Sequence, residues 1–341
     1  MRSIVYTGTG SSSVLTLAER EPVAPGAGEV RVRVTVSGVN PTDWKARAGS
    51  AAPLGFDEVV PNQDGAGVID AVGDGVTDLA VGDRVWIYLA QHERPTGTAQ
   101  EHTVVPASRA VKLPDGIGFD VAASLGVPAM TAHRALTVHE NGPARLSPSS
   151  LEGRVVLVAG GAGAVGHAAV QLAVWAGAEV IATVSSHEKA ALARAAGAHH
   201  TVNYRDADAA DQISALAPAG IDHIVEVSIA ENAELDGQVI ANHGSIAYYA
   251  DNGGEQATLP VRPTFAKNVR TQGLLLYTVG EDALRAAAED ITAALYDGAL
   301  PVGEEAGLPL TWFSLEETAA AHDAVEQGAV GKVLIDVSGD A

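Results

Sequence analysis

The chain has 341 residues, of which 47% are hydrophobic, so it is long enough for two domains with apolar cores. It contains no cysteine, which excludes disulfide bonds and thiolate metal sites, and its net charge of −21 argues against binding nucleic acid or anionic membranes. No apolar run is long enough to span a bilayer, and the start, MRSIVYTG, lacks a signal-peptide core, so we expect a cytoplasmic protein.

The first part of the chain, up to about residue 125, is predicted to be a β-rich, barrel-like domain. Residues 29–36 alternate charged and apolar side chains, as a half-exposed strand does. Further short strands separated by turns rich in glycine, proline and aspartate are predicted at 68–72, 84–89, 103–105 and 110–113. The pattern then changes, and helices are predicted at 119–125 and 129–137.

From residue 154 onward, predicted strands and helices alternate. This order is typical of a doubly wound α/β domain, a parallel sheet with helices on both faces. The predicted strands are 155–159, 179–184, 199–202, 221–227, 244–249 and 272–277. The predicted helices between them are 164–176, 187–196, 207–216 and 231–240. Helices at 281–297 and 315–327 and apolar segments at 308–313 and 332–337 complete the chain.

Three glycines, Gly161, Gly163 and Gly166, follow the first strand of this domain at G-x-G-x-x-G spacing. The first glycine permits a tight turn, the second lets the backbone approach a pyrophosphate, and the third lets helix and strand pack closely. The helix that follows begins with Ala164 and Val165, whose N–H groups can bind phosphate. An isolated glycine triplet also occurs in ordinary turns, but the order strand, glycines, helix, strand predicts a dinucleotide site.

The residues after the second strand predict which nicotinamide cofactor binds. NAD-binding proteins usually carry an acid about 20 residues beyond the glycines, to bind the ribose hydroxyls. Here that position holds Ser185 and Ser186, so a 2′-phosphate would not be repelled. Lys189 can supply positive charge, although a solvated surface lysine is the alternative interpretation. We therefore expect NADPH as the cofactor.

Motifs along nearly the whole chain resemble the medium-chain dehydrogenase/reductases, and among them the zinc-free quinone oxidoreductases (zeta-crystallin-like). The matching segments are SGVNPTDWKARAG (37–49), NQDGAGVIDAVGDGV (62–76), VGDRV (81–85), GVPAMTAHRAL (126–136), VLVAGGAGAVGHAAVQLA (156–173), AGAHHTVNYRD (196–206) and GKVLIDV (331–337). The resemblance implies a GroES-like catalytic domain at 1–127, an NADPH-binding Rossmann domain at 128–278, and a segment at 279–341 that returns to the catalytic domain. It also implies hydride transfer to quinones, enones or alkenals.

The resemblance implies a catalytic pocket in the cleft between the domains. Asn40 and Asp43 would line this pocket, and Thr131 would lie under the nicotinamide. Lys45 is the first candidate for polarising a substrate oxygen, with a solvated lysine as an equal alternative.

Further cofactor contacts are expected around this pocket. Tyr204 would join the serines and Lys189 at the 2′-phosphate of NADPH, by resemblance. Ser228 ends the fourth strand of the Rossmann domain, near the point where ligands bind to such sheets. Lys332 and residues 274–277 are weaker candidates for cofactor contact.

Zinc enzymes of the superfamily carry Cys and His-Glu at the positions aligned with Asn40 and with Gln63-Asp64. Asparagine and glutamine are poor zinc ligands beside thiolate and imidazole, so we expect no metal. The resemblance also implies a homodimer that pairs the apolar edge strand around 272–278 with its twin. Two alternatives remain open, a zinc-free carbonyl or enoyl reductase and a protein that binds NADPH without turnover.

Overall fold

The computed structural model describes residues 1–50 and 54–339. The strands are β1 Arg2–Val5, β2 Thr16–Glu19, β3 Glu29–Val39, β4 Asp64–Val72, β5 Arg84–Ile87, β6 His102–Pro106, β7 Ala110–Lys112, β8 Val155–Ala159, β9 Glu179–Val184, β10 His200–Asn203, β11 Ile221–Glu226, β12 Ile240–Tyr248, β13 Arg270–Gly273, β14 Leu310–Ser314 and β15 Lys332–Asp336. The helices are α1 Pro41–Ala48, α2 Phe119–Ala123, α3 Gly126–Thr137, α4 Ala164–Trp175, α5 His187–Ala195, α6 Ala209–Leu216, α7 Ile229–Val239, α8 Val261–Phe265, α9 Glu281–Tyr296 and α10 Thr318–Glu326. Within these ranges, no helix is both long enough and apolar enough to cross a membrane.

The chain forms two compact units. The first unit contains Met1–Val127 and Pro309–Ala341, and the second contains Pro128–Leu308. The domain prediction placed its boundaries after residues 127 and 278. The segment 279–308, which includes α9, belongs to the second unit, so the return to the first unit begins at Pro309.

The first unit is built on a seven-stranded sheet with the order β14-β15-β3-β4-β5-β7, and β6 also pairs with β3. The long strand β3 pairs antiparallel with β15, β4 and β6, so it ties the C-terminal segment to the N-terminal strands. Val30, Val32, Val34 and Val36 of this strand are at most 2% exposed. The alternating pattern of residues 29–36 therefore predicted the buried face correctly.

Helix α1 was not predicted, although its start and end carry ordinary helix signals. Pro41 occupies the first helical position, where its missing N–H has no cost, and Asp43 Oδ2 accepts a hydrogen bond from Asn40 N at 2.7 Å. Gly49 ends the helix with a φ of 81°. The helix therefore holds Asn40 and Asp43 at its amino-terminal end.

The second unit is built on a six-stranded sheet with the order β10-β9-β8-β11-β12-β13. All its strand pairs are parallel, as the alternation of strands and helices predicted. Strand β8 is central, and Val156, Leu157 and Val158 are at most 1% exposed. The chain runs outward from β8 to β10 on one side and resumes with β11 on the other, so the strand order reverses between β8 and β11.

The last part of this sheet differs from the prediction. Strand β13 ends at Gly273 instead of residue 277, and Leu276–Thr278 form a 3₁₀ turn. The reason is the register: Gly273 lies opposite Tyr248, where β12 ends, so the chain beyond has no strand to pair with. The prediction of a strand over 274–277 was therefore wrong, and the short helix α8 before β13 was not predicted.

Candidate functional site

The glycine loop between β8 and α4 has the steric properties of a phosphate-binding turn. A Cβ at Gly161 would lie 2.7 Å from the Cβ of Ala182, and one at Gly166 would lie 2.3 Å from Gly160 O. Both contacts are too short for any side chain, so these glycines close the turn. A Cβ at Gly163 meets only Gly160 O, at 3.5 Å, so the protein itself leaves that side of the loop open. This open side at the start of α4 fits a pyrophosphate.

Four further predicted residues lie at the same edge of the sheet as this loop. Ser185 and Ser186 follow β9 directly and Tyr204 follows β10, and these parallel strands place Val184 opposite Asn203. Ser186 Oγ accepts a hydrogen bond from Lys189 N at 3.2 Å and so caps α5. Tyr204 is 41% exposed. The structure therefore brings these hydroxyls and Lys189 to one edge, which carries no acid at the end of β9.

Ser228 follows β11, on the far side of the point between β8 and β11 where the strand order reverses, and it forms hydrogen bonds within the second unit. Its Oγ donates a hydrogen bond to Asn252 O at 2.9 Å, and its N donates to Glu226 Oε1.

Glu226 and Asp236 are two buried carboxyl groups of the second unit. Burial raises the pKa of Glu226, and burial together with the charge of Glu226 raises the pKa of Asp236 well above its usual range. The two side chains are each 1% exposed, and both carboxyl oxygens of Asp236 are buried without a hydrogen-bond partner among the described residues. Sequence reasoning missed this pair, since nothing local to either residue reveals it.

In the first unit, Asn40 belongs to a buried polar network that includes Lys332. The Lys332 ammonium donates to Asn40 Oδ1 at 2.7 Å, and Asn40 Nδ2 donates to Asp64 Oδ2 at 2.7 Å. Asp64 Oδ1 and Oδ2 also accept Val127 N at 2.9 and 3.0 Å, respectively, and Lys332 Nζ lies 3.6 Å from Asp64 Oδ2. Asn40, Asp64 and Lys332 are at most 2% exposed. Oppositely charged groups thus face each other inside the unit.

Asp43 extends this network through the backbone. Its carboxylate accepts Asn40 N at 2.7 Å and Gln63 N at 3.1 Å. Burial and the nearby charge of Asp64 raise the pKa of Asp43 to about 8. Burial also lowers the pKa of Lys332, although the charges of Asp64 and Asp43 act against that shift. Burial raises the pKa of Asp64 as well, and the charge of Lys332 acts against that shift, so the attraction between Lys332 and Asp64 offsets part of the cost of burying both.

The other two predicted catalytic residues lie on helices. Lys45 lies on α1 and is half-buried, and Thr131 lies on α3 and is 5% exposed. The structure therefore groups Asn40, Asp43 and Lys332 within the first unit, and groups the glycine loop, the serines, Lys189, Tyr204 and Ser228 at one sheet edge of the second.

Family models of known proteins match segments of both units. The family model described as an alcohol dehydrogenase GroES-like domain matches residues 26–115, and the one described as a zinc-binding dehydrogenase matches residues 164–293. A 2-haloacrylate reductase from Burkholderia sp is 32% identical over 88% of this chain and 87% of the reductase. The chain belongs to the medium-chain dehydrogenase/reductase superfamily, quinone oxidoreductase type.

Two further comparisons extend over almost the whole length. A quinone oxidoreductase from Rattus norvegicus is 29% identical over 98% of this chain and 97% of that protein. The crystal structure of an NAD-dependent alcohol dehydrogenase superposes with a TM-score of 0.86 at 29% identity, covering 99% of this chain and 100% of that one. The predicted α/β fold with a GroES-like domain is thereby confirmed, and the chain is an oxidoreductase with a nicotinamide cofactor site.

One family model is named for zinc, but the residues at the positions aligned with zinc ligands already have other partners. Asn40 Oδ1 already accepts the Lys332 ammonium, and Gln63 exchanges hydrogen bonds with Gln91 at 3.0 and 3.2 Å. A zinc ion at Asn40 would lie beside a buried cation, with amides where thiolate and imidazole are preferred. Within residues 1–50 and 54–339, no group of three or more His, Cys, Asp or Glu side chains could hold a metal. These residues do not fit zinc.

Proposed function

We propose that this chain is an NADPH-dependent reductase that transfers hydride to quinones or α,β-unsaturated carbonyl compounds without zinc. The observation that carries the cofactor assignment is the edge formed by the glycine loop, Ser185, Ser186, Lys189 and Tyr204. The names of two relatives, a quinone oxidoreductase and a 2-haloacrylate reductase, support the substrate class, since both substrates contain an electron-poor carbon.

In the proposed hydride transfer, the main contribution of the protein is to align the cofactor with the substrate. NADPH, when bound, supplies a hydride, and a conjugated substrate already offers a carbon that accepts it. The open side of Gly163 and the first N–H groups of α4, at Ala164 and Val165, would bind the pyrophosphate. Positioning of the reacting atoms then supplies much of the rate enhancement.

The proposed substrate contacts are Asn40, Lys45 and Thr131. A hydrogen bond from the Asn40 amide or the Lys45 ammonium to the carbonyl oxygen would stabilise the negative charge that develops as hydride arrives. Thr131 would support the nicotinamide. Solvent can protonate the product, so substitution of any one of these residues should lower kcat/KM partially rather than abolish turnover.

The choice of cofactor is tested by the Lys189→Ala substitution. Removal of the ammonium should raise the dissociation constant for NADPH about tenfold, which corresponds to about 1.4 kcal/mol, and leave that for NADH unchanged. The matched control is Glu188→Gln on the neighbouring exposed residue, which should leave NADPH binding unchanged or strengthen it. Equal affinity of the unsubstituted chain for NADPH and NADH would contradict the assignment.

We also propose that two chains pair through the β13 edge. Strand β13 ends the six-stranded sheet, and Leu275, Phe265 and Val261 near it are 54%, 61% and 73% exposed. The outer side of an edge strand carries backbone N–H and C=O groups that can pair with a second copy of the chain across a two-fold axis, and exposed apolar side chains beside it would be buried in such a dimer. Light scattering should give the mass of two chains, and Phe265→Glu should shift it toward one. A single-chain mass for the unsubstituted protein would contradict this proposal.

A further inference from the structure

We propose that Lys332 is a positioning residue of the catalytic pocket and not a cofactor ligand: its buried ammonium fixes the orientation of the Asn40 amide. The proposal rests on the proposed function, because Asn40 is one of the substrate contacts proposed there. It replaces the expectation that Lys332 contacts the cofactor, and it accounts for the poor fit of these residues to zinc.

The contacts around Asn40 leave its amide only one favourable orientation. Lys332 Nζ donates to Asn40 Oδ1 at 2.7 Å, and Asn40 Nδ2 donates to Asp64 Oδ2 at 2.7 Å. An ammonium can only donate hydrogen bonds, and an ionised carboxylate can only accept them. Rotating the amide by half a turn would set N–H groups against the ammonium and a carbonyl against the carboxylate. The Lys332 ammonium at the amide oxygen and the Asp64 carboxylate at the amide nitrogen therefore fix the orientation of the Asn40 side chain.

The surrounding backbone leaves room for both charged side chains. A Cβ at Gly38 would lie 3.1 Å from Lys332 Cε and 2.2 Å from Ala123 O. A Cβ at Gly126 would lie 2.0 Å from Asp64 Oδ1, the atom that accepts Val127 N at 2.9 Å. Glycine at these two positions therefore lets the lysine stem and the carboxylate reach Asn40.

The partners of Lys332 argue against a role as a cofactor ligand. Its ammonium donates to Asn40 Oδ1 and lies 3.6 Å from the buried carboxylate of Asp64, which offsets its charge. A lysine that binds a dinucleotide phosphate would need that charge for the phosphate. The Asn40 amide, by contrast, carries two N–H groups, of which Asp64 takes one. The second N–H is thereby held in a fixed direction, and it is the group that would bind a substrate oxygen in the proposed reaction.

The test is a double-substitution cycle in turnover. Lys332→Met keeps the aliphatic stem and removes the charge, and it should lower kcat about tenfold while the dissociation constant for NADPH stays within about twofold. Asn40→Ala should lower kcat similarly, and the double variant should be no worse than Asn40→Ala alone, because Lys332 acts through Asn40. Lys112→Met, at a lysine with a 58% exposed side chain in the same unit, is the matched control and should leave kcat unchanged. Additive losses, or a tenfold rise in the NADPH dissociation constant alone, would overturn the proposal.

A second readout is independent of turnover and of the proposed reaction. In protein labelled with ¹⁵N-asparagine, the side-chain signals absent from Asn40→Ala identify the Asn40 amide. Its hydrogen exchange with water should accelerate at least about tenfold in Lys332→Met. If that variant does not fold, Lys332→Met combined with Asp64→Asn removes both charges and should show the same acceleration. Unchanged exchange refutes the positioning role, whereas an unsubstituted protein that reduces no quinone or enone refutes only the proposed function.

Discussion

At the scale of single residues, the sequence shows which polar side chains the first unit contains, but not which of them are buried or which partners they have. Asp43 was expected to line a pocket, and the structure shows its carboxylate accepting two backbone N–H groups inside the unit. The pairing of Asn40 with Lys332 spans 292 positions, so no local pattern could have revealed it. By contrast, the position of Ser185, Ser186 and Lys189 at the sheet edge could be predicted from the sequence, because their spacing from the glycines fixes where they lie; their role in binding the cofactor stays a prediction.

The raised pKa of Asp43 predicts how stability depends on pH. In the unfolded chain an aspartate titrates near 3.9, and burial raises the folded pKa of Asp43 to about 8. A raised carboxyl pKa means that stability is fully present below the unfolded pKa and is lost as pH rises through the folded pKa. Asp43→Asn cannot ionise, so its melting temperature relative to the unsubstituted protein should rise from pH 5 to pH 8.

The control for this prediction is Asp206→Asn, at an exposed aspartate in the second unit. Its melting temperature should stay at a constant offset from that of the unsubstituted protein over the same pH range. Melting curves that run parallel for Asp43→Asn as well would show that Asp43 does not take up the proton.

At the scale of secondary-structure elements, strands were predicted correctly where the local sequence pattern determines their bounds. The prediction failed where the bounds depend on the neighbouring strand. The parallel strands β8 and β9 were predicted with the bounds that they have in the structure, since both are short, mainly apolar runs that follow a glycine closely. Strand β13 ends early because β12 ends opposite Gly273, which its own sequence does not show. Helix α1 was missed because its charged sequence, PTDWKARA, lacks a clear apolar stripe, although Pro41 and Asp43 do mark its start.

Two substitutions in the glycine loop should have different effects, one on NADPH binding and the other on the stability of the fold. In Gly163→Ala the new Cβ meets only Gly160 O at 3.5 Å, so the melting temperature without cofactor should change little, while NADPH binding weakens at least about tenfold. In Gly166→Ala the new Cβ would lie 2.3 Å from Gly160 O, so the melting temperature itself should fall. Calorimetric titration and thermal melting of both variants measure this. Equal loss of stability in the two variants would contradict the assigned roles.

At the scale of the whole molecule, the superfamily and the combination of a parallel α/β sheet with a β-rich domain could be predicted from the sequence, and both predictions are confirmed. The cofactor-binding role of the residues at the sheet edge stays a prediction. The return to the first unit differs from the prediction, since it begins at Pro309 rather than at residue 279. Helix α9 carries an apolar stripe that would pack against either unit, so the pattern by itself does not say which one. The net charge of −21 is a property of the whole chain and makes an anionic macromolecule an unfavourable partner. A small, neutral, electron-poor substrate is compatible with it.

The central claim is reduction of an activated double bond or quinone by NADPH without zinc. The most direct test follows NADPH oxidation by the unsubstituted protein, after dialysis against a chelator, with a panel of small quinones, enones and simple alcohols. We expect turnover with at least one quinone or enone, no loss of rate after chelation, and little oxidation of alcohols with NADP⁺ or NAD⁺. Efficient alcohol oxidation with NAD⁺, together with no reaction across the quinones and enones, would contradict the account.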